Sequence, residues 1–94
     1  MTEYKTVYEL LEDPNRWCKQ YMALNSKLNP TGCRNEDAIC WCGMGAIIKV
    51  YKTQDEIDKI IDKVCKEVGH RSITYWNDCN SHNNVYNVFK KLGI

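Results

Sequence analysis

EDAICWCGMGAIIKVY, residues 36–51, is the stretch whose reading decides the fold. Past its two leading acids it is apolar on nearly every side, the pattern of a helix surrounded by its neighbours, and the sequence therefore predicts a central buried helix here. Gly43 and Gly45 each disfavour a helix interior by about 1 kcal/mol relative to alanine, so they are expected to admit another backbone or a ligand at close range. On such a helix Cys40 and Cys42 point about 200° apart and cannot grip one ion or each other.

The flanking segments are read by the same rules. Toward the N-terminus, Thr6 and Glu9 form a capping box ahead of an apolar stripe of Val7, Leu10 and Leu11. Asp13-Pro14 starts a second short helix, expected to turn Trp17, Cys18, Tyr21 and Met22 inward. Residues 25–35 (NSKLNPTGCRN) are turn formers without a period, hence a loop, and a connection of that length usually carries a function. Toward the C-terminus, Thr53 and Glu56 cap a helix over 53–68 with the stripe Ile57, Ile60, Ile61, Val64, Cys65 and Val68, closed by Gly69. Residues 70–80 (HRSITYWNDCN) hold β-branched and aromatic side chains and are expected to be extended. Ser81 or His82 opens a last helix with Val85, Val88, Phe89 and Leu92 inside and Gly93 at its end. The expectation is an all-α fold, one domain over 1–94: a bundle of four to five short helices with a central buried helix and an extended Trp-Asn-Asp segment packed on it.

Composition narrows the function classes. The 94 residues suffice for one core, though with a margin thin enough that a partner or self-association into a homo-oligomer would help. Thirteen Lys and Arg against twelve Asp and Glu leave a net charge of +1, which gives no support to nucleic acid or an anionic membrane as partner. No apolar run reaches the length of a membrane span and the first twenty residues have no signal-peptide pattern, so a soluble, cytoplasmic protein is expected. In that compartment the six cysteines read as reduced thiols, and none forms a CxxC half-site for zinc. Neither a metal nor a cofactor is expected.

Two segments carry a resemblance. Ala38, Trp41, Cys42, Gly45 and Ala46 fit an Ala-x-x-Trp-Cys-x-x-Gly-Ala pattern, and about thirty residues later Trp76-Asn77-Asp78 precedes a short helix containing Val85. The pair resembles a family of small uncharacterised bacterial and phage proteins. The similarity covers residues 17–92 in outline and implies a fold but no established activity. The chain has Ser81-His82 where many members have Arg-Thr, so an anion-binding role does not carry over to that position. It is also rich in Lys where many relatives are rich in Arg and Ala, as an AT-rich phage or host genome would produce.

Candidate sites have paired readings. Trp76-Asn77-Asp78 is either structural, with Asn77 and Asp78 bonding nearby backbone and capping the last helix while Trp76 fills the core beside Trp41, or a pocket with Trp76 as a stacking plate. Cys42 is either a buried structural thiol or a nucleophile served by His70 or His82 with Asp78. Nine of the ten aromatic residues are Tyr or Trp, a bias shared by core edges, interfaces and nucleobase platforms. Three functions follow as expectations. The first is a non-enzymatic phage-type accessory protein that binds a host protein, in counter-defence or takeover, through aromatic surface and the 25–35 loop. The second is a binder of a small nucleotide ligand using Trp41, Trp76, Asn77 and Asp78, with Arg71 or Arg34 meeting phosphate. The third is a cysteine enzyme using Cys42.

Overall fold

The computed structural model describes residues 4–94, so the first three residues of the expected domain lie outside the described residues. In order, the elements are α1 (Val7–Leu10), a 3-10 turn (Pro14–Arg16), β1 (Ala23–Asn25), β2 (Ala38–Trp41), α2 (Gly43–Val50), α3 (Gln54–Val68), α4 (Ile73–Asp78) and α5 (His82–Leu92). The all-α expectation is overturned, because β1 and β2 form an antiparallel sheet and the architecture is mixed.

Residues 36–51 do not form one helix. Ala38–Trp41 is a strand, Cys42 keeps an extended backbone at φ −77° and ψ 174°, and the helix begins only at Gly43. An apolar run looks the same whether a strand or a helix is being buried, and here Ile39, Cys40 and Trp41 take the pleated form that suits bulky and branched side chains. β1 pairs Ala23 with Trp41 and Leu24 with Cys40. The extended layer continues on both sides: Leu24 bridges Pro30 across a tight turn, and Trp17 bridges Trp41 in parallel. Asn25 makes that turn by accepting, on its side-chain oxygen, the N–H groups of Lys27 and Asn29. Residues 26–37 contain neither a helix nor a strand, in keeping with the loop expected over 25–35.

The second short helix is also shorter than expected. It stops at Arg16 as a single 3-10 turn, and Gln20 has a left-handed φ of 72°, which no helix accommodates. Tyr21 and Met22, expected to face inward, are 47% and 37% exposed. In the opposite sense, the segment expected to be extended is the helix α4. Ser72 Oγ accepts the Tyr75 N–H, and Ile73, Trp76 and Asn77 are buried at the i, i+3, i+4 spacing of one helical face. Burial of that face overrides the extended preference of Ile73, Thr74 and Tyr75.

The capping motifs of the other helices are as the sequence indicates. Thr6 and Thr53 accept the N–H of Glu9 and Glu56, Ser81 accepts that of Asn84, and Gly69 and Gly93 close α3 and α5 with φ of 71° and 68°. All the helices meet in one core around Val7, Leu10, Leu11, Ile47, Val64, Val85 and Phe89, each without solvent exposure. Ile94 joins it, and its carbonyl accepts the Tyr8 N–H at 3.2 Å. No helix among the described residues is long and apolar enough to cross a membrane.

Candidate functional site

The strongest concentration of buried polar contact is at the start of α2, where α4, α2 and the Trp17–Gln20 segment converge on Asn77. The α4 cap at Ser72 sets the helical phase that turns Asn77 inward with Ile73 and Trp76. Asn77 has no solvent exposure. Its Oδ1 accepts the Gly43 N–H at 2.8 Å and the Trp17 indole N–H at 2.6 Å. Its Nδ2 donates to the Cys18 carbonyl at 3.1 Å and to Asp78 Oδ1 at 3.2 Å. An asparagine amide offers two acceptor and two donor positions, and all four are taken. Asp78 Oδ1 also accepts the Gln20 N–H at 2.9 Å, which holds the left-handed turn beside the helix.

The pair Asn77-Asp78 thus binds backbone distant in sequence, and the last helix takes its cap from Ser81. Trp76 is in the core, its ring edge-on to Phe89 with centroids 6.2 Å apart. Trp41 is buried as well and donates its indole N–H to the Cys33 carbonyl at 2.8 Å. Neither indole face stands open as a stacking plate.

The two arginines have different surroundings. Arg34 closes the C-terminus of α2, donating from Nε to the Ile48 carbonyl at 3.0 Å and from Nη2 to the Tyr51 carbonyl at 3.1 Å. It is thereby committed to orphan helix carbonyls. Arg71 is exposed and, with Asp58, Ile61, Asp62, Lys66 and His70, lines an open groove of about 530 Å³ beside the C-terminus of α3. The His70 ring lies 5.8 Å from that of Tyr75, itself 62% exposed.

Cys42 is at the N-cap of α2 rather than two turns inside a helix, and its sulfur accepts the Gly45 N–H at 3.4 Å. Burial pushes its thiol up; the Gly45 and Met44 N–H groups act in the opposite direction but do not prevail. His82 directs Nε2 to the Leu11 carbonyl and stacks on Tyr86, and His70 packs on Tyr75. Among the described residues, no three His, Cys, Asp or Glu side chains are grouped to hold a metal ion.

Four participants were not foreseen as members of this network: Trp17, Cys18, Gln20 and Gly43. The signal that could have found it is the helical spacing of Ile73, Trp76 and Asn77, which places an uncharged amide on an inner face where every polar atom needs a partner. Gly45 does admit a backbone, as its residue type suggested: a Cβ there would lie 1.9 Å from the Met22 carbonyl oxygen.

No curated protein and no solved structure matches the chain. A family model does match, over residues 4–92, and so spans α1 through α5 and the Asn77 network. The chain belongs to the family of unknown function DUF6197.

Proposed function

We propose that the chain is a small non-enzymatic accessory protein of phage type, acting in the cytoplasm on a host protein, with counter-defence as the process it serves. Its contact surface is the unit formed by β1, β2 and their connection. One observation carries this reading. Of the five most exposed large apolar side chains among the described residues, Tyr21, Met22, Leu28 and Ile39 belong to that unit and its flanks, and Leu28, at the turn after β1, is 68% exposed. Leu28 adopts a left-handed φ of 62°, so the turn spends conformational energy to hold an apolar side chain in water. Exposed apolar groups gathered in one region mark contact surfaces, and tyrosine and methionine are over-represented there.

The fixed geometry beneath favours binding over chemistry. The Asn77 amide is saturated, and the Cys42 thiol is buried and held protonated, which disfavours the cysteine-enzyme alternative. The test is capture of partners from bacterial lysate by the chain and by Leu28→Asp and Ile39→Asp variants. The reading expects a partner retained by the parent and lost from both variants while their unfolding midpoints stay unchanged. Equal capture by all three would refute it.

The groove at Arg71 favours a second reading, a binder or sequestering protein for a small nucleotide. Arg71 offers positive charge, Lys66 being paired with Asp62 at 3.1 Å, and the exposed Tyr75 ring offers a stacking face nearby. A nucleotide at a hundred times its Kd would stabilise the fold by about 2.7 kcal/mol, readable as a thermal shift that Arg71→Ala removes.

A further inference from the structure

Between Tyr51 and Lys63 the chain folds back around a small hollow. Tyr51 ends α2 with an extended backbone, φ −97° and ψ 136°, and Thr53 then starts α3 by accepting the Glu56 N–H. Glu56, Lys59, Ile60 and Lys63 follow at i, i+3, i+4 and i+7, one stripe of the helix, and with Tyr51 they line a cavity of about 300 Å³. Tyr51 and Ile60 are half-buried and pack against the core, so they supply its apolar floor. Glu56, Lys59 and Lys63 are exposed and supply its rim. The acids along α3 are mostly engaged elsewhere: Asp58 accepts from Gln54 Nε2 at 2.8 Å, Asp62 pairs with Lys66 at 3.1 Å and Glu67 with Lys91 at 2.9 Å. Glu56 itself accepts the Thr53 hydroxyl at 2.9 Å. Lys59 and Lys63, one turn apart on the rim, have no ion-pair partner among the described residues. Two ammonium groups against one carboxylate leave the rim a surplus of one positive charge. Burial pushes the Tyr51 phenol up from its ordinary value, and Glu56 and Tyr8 add to the effect. The phenol therefore contributes an O–H donor rather than a second negative charge.

We propose that this hollow binds a small aromatic monocarboxylate, its ring against Tyr51 and Ile60 and its carboxylate at Lys59 and Lys63. An apolar floor with a few convergent polar groups is the usual make-up of a small-ligand site, and about 300 Å³ is at the small end of the range for such sites, suited to a body of one or two rings. The single surplus charge matches a monoanion, while Glu56 repels the second charge of a phosphate group. A lysine ammonium placed over an aromatic carboxylate also meets the face of the ligand's ring. The Arg71 groove differs in kind, because two of its walls are the carboxylates Asp58 and Asp62. The hollow stands independently of the protein contact on β1 and β2 and of the nucleotide reading of that groove.

The test titrates the full chain, labelled with nitrogen-15, with sodium 2-naphthoate and follows its amide resonances by two-dimensional NMR. Saturable shifts are expected at Tyr51, Glu56, Lys59, Ile60 and Lys63. Lys59→Gln and Lys63→Gln should each weaken the Kd by about fivefold, the upper range for an exposed ion pair, with the unfolding midpoint unchanged because both side chains are exposed. The neutral 2-naphthamide, of the same shape, should bind more weakly than the carboxylate to the parent. The absence of saturable shifts through the millimolar range, or shifts centred on the Arg71 groove or on the Leu28 turn, would overturn the proposal. So would 2-naphthamide binding as tightly as 2-naphthoate, or a Lys59→Gln/Lys63→Gln double variant with the parent's Kd.

Discussion

The Asn77 side-chain oxygen lies 2.8 Å from the backbone nitrogen of Gly43, thirty-four residues earlier in the chain. Through that bond α4 closes the first turn of α2, a position whose N–H has no partner within its own helix. The same oxygen takes the Trp17 indole N–H, so one side chain joins two helices and the outer segment of the extended layer.

Replacing Asn77 is therefore expected to be costly. Asn77→Ala leaves the Gly43 and Trp17 N–H groups and the Cys18 carbonyl buried without their partner, a loss of about 2–4 kcal/mol in urea unfolding. Asn77→Asp should be worse at neutral pH, because its second oxygen would face the Cys18 carbonyl and Asp78, where the amide donates. That variant should recover part of its stability as the pH falls and the new carboxyl takes up a proton.

The two glycines of α2 are expected to behave differently. A Cβ on Gly45 would overlap the Met22 carbonyl at 1.9 Å, which is backbone held by its bond from the Cys42 N–H. Gly45→Ala should cost at least about 3 kcal/mol. A Cβ on Gly43 would meet Phe89, Asn77 and Ile73 at 3.4–3.5 Å, ordinary contact, so Gly43→Ala should stay within about 1 kcal/mol of the parent. Equal midpoints for the two variants would contradict this geometry.

How far the sequence alone reaches is visible in the same residues. Helix 53–68 and the last helix are legible because cap, apolar stripe and terminal glycine all agree, and both stand where those signals put them. Over 36–51 the signals conflict: an all-round apolar run suits a buried helix or a buried strand, and only the pairing with Ala23 and Leu24, from a segment with no clear period, selects the strand. At 73–78 the β-branched composition points one way and the i, i+3, i+4 burial the other, and long-range packing decides. The network around Asn77 depends on contacts sixty residues apart, such as that with Trp17, which no local pattern encodes.

Arg34 and Arg71 should separate structure from binding. Arg34→Ala removes the donors that close α2 at Ile48 and Tyr51 and is expected to lower stability by about 1 kcal/mol. Arg71→Ala removes an exposed side chain at the groove and should leave the unfolding midpoint within about 0.5 kcal/mol of the parent. Urea titrations of the two variants side by side read both outcomes.

Alkaline pH should weaken the fold through its thiols. Burial pushes Cys18, Cys33 and Cys42 up from the ordinary value of 9.0, with the neighbouring Cys40 adding to the effect at Cys18. Below that value both the folded and the unfolded chain keep these protons, and the contribution to stability is complete. Above it the unfolded thiols ionise first, the folded state binds more protons, and stability declines with each further rise in pH until the folded thiols ionise in turn. Unfolding midpoints measured under reducing conditions at about pH 7.5 and about pH 10 should therefore fall, the window being set by the thiol range. Cys42→Ser offers the control, since serine is a preferred N-cap and can accept the Gly45 N–H in place of the sulfur. It should match the parent at the lower pH within about 1 kcal/mol and lose less at the higher one, because one of the three titrating groups is gone. An unchanged slope in that variant would mean that Cys42 ionises as readily folded as unfolded, contrary to its burial.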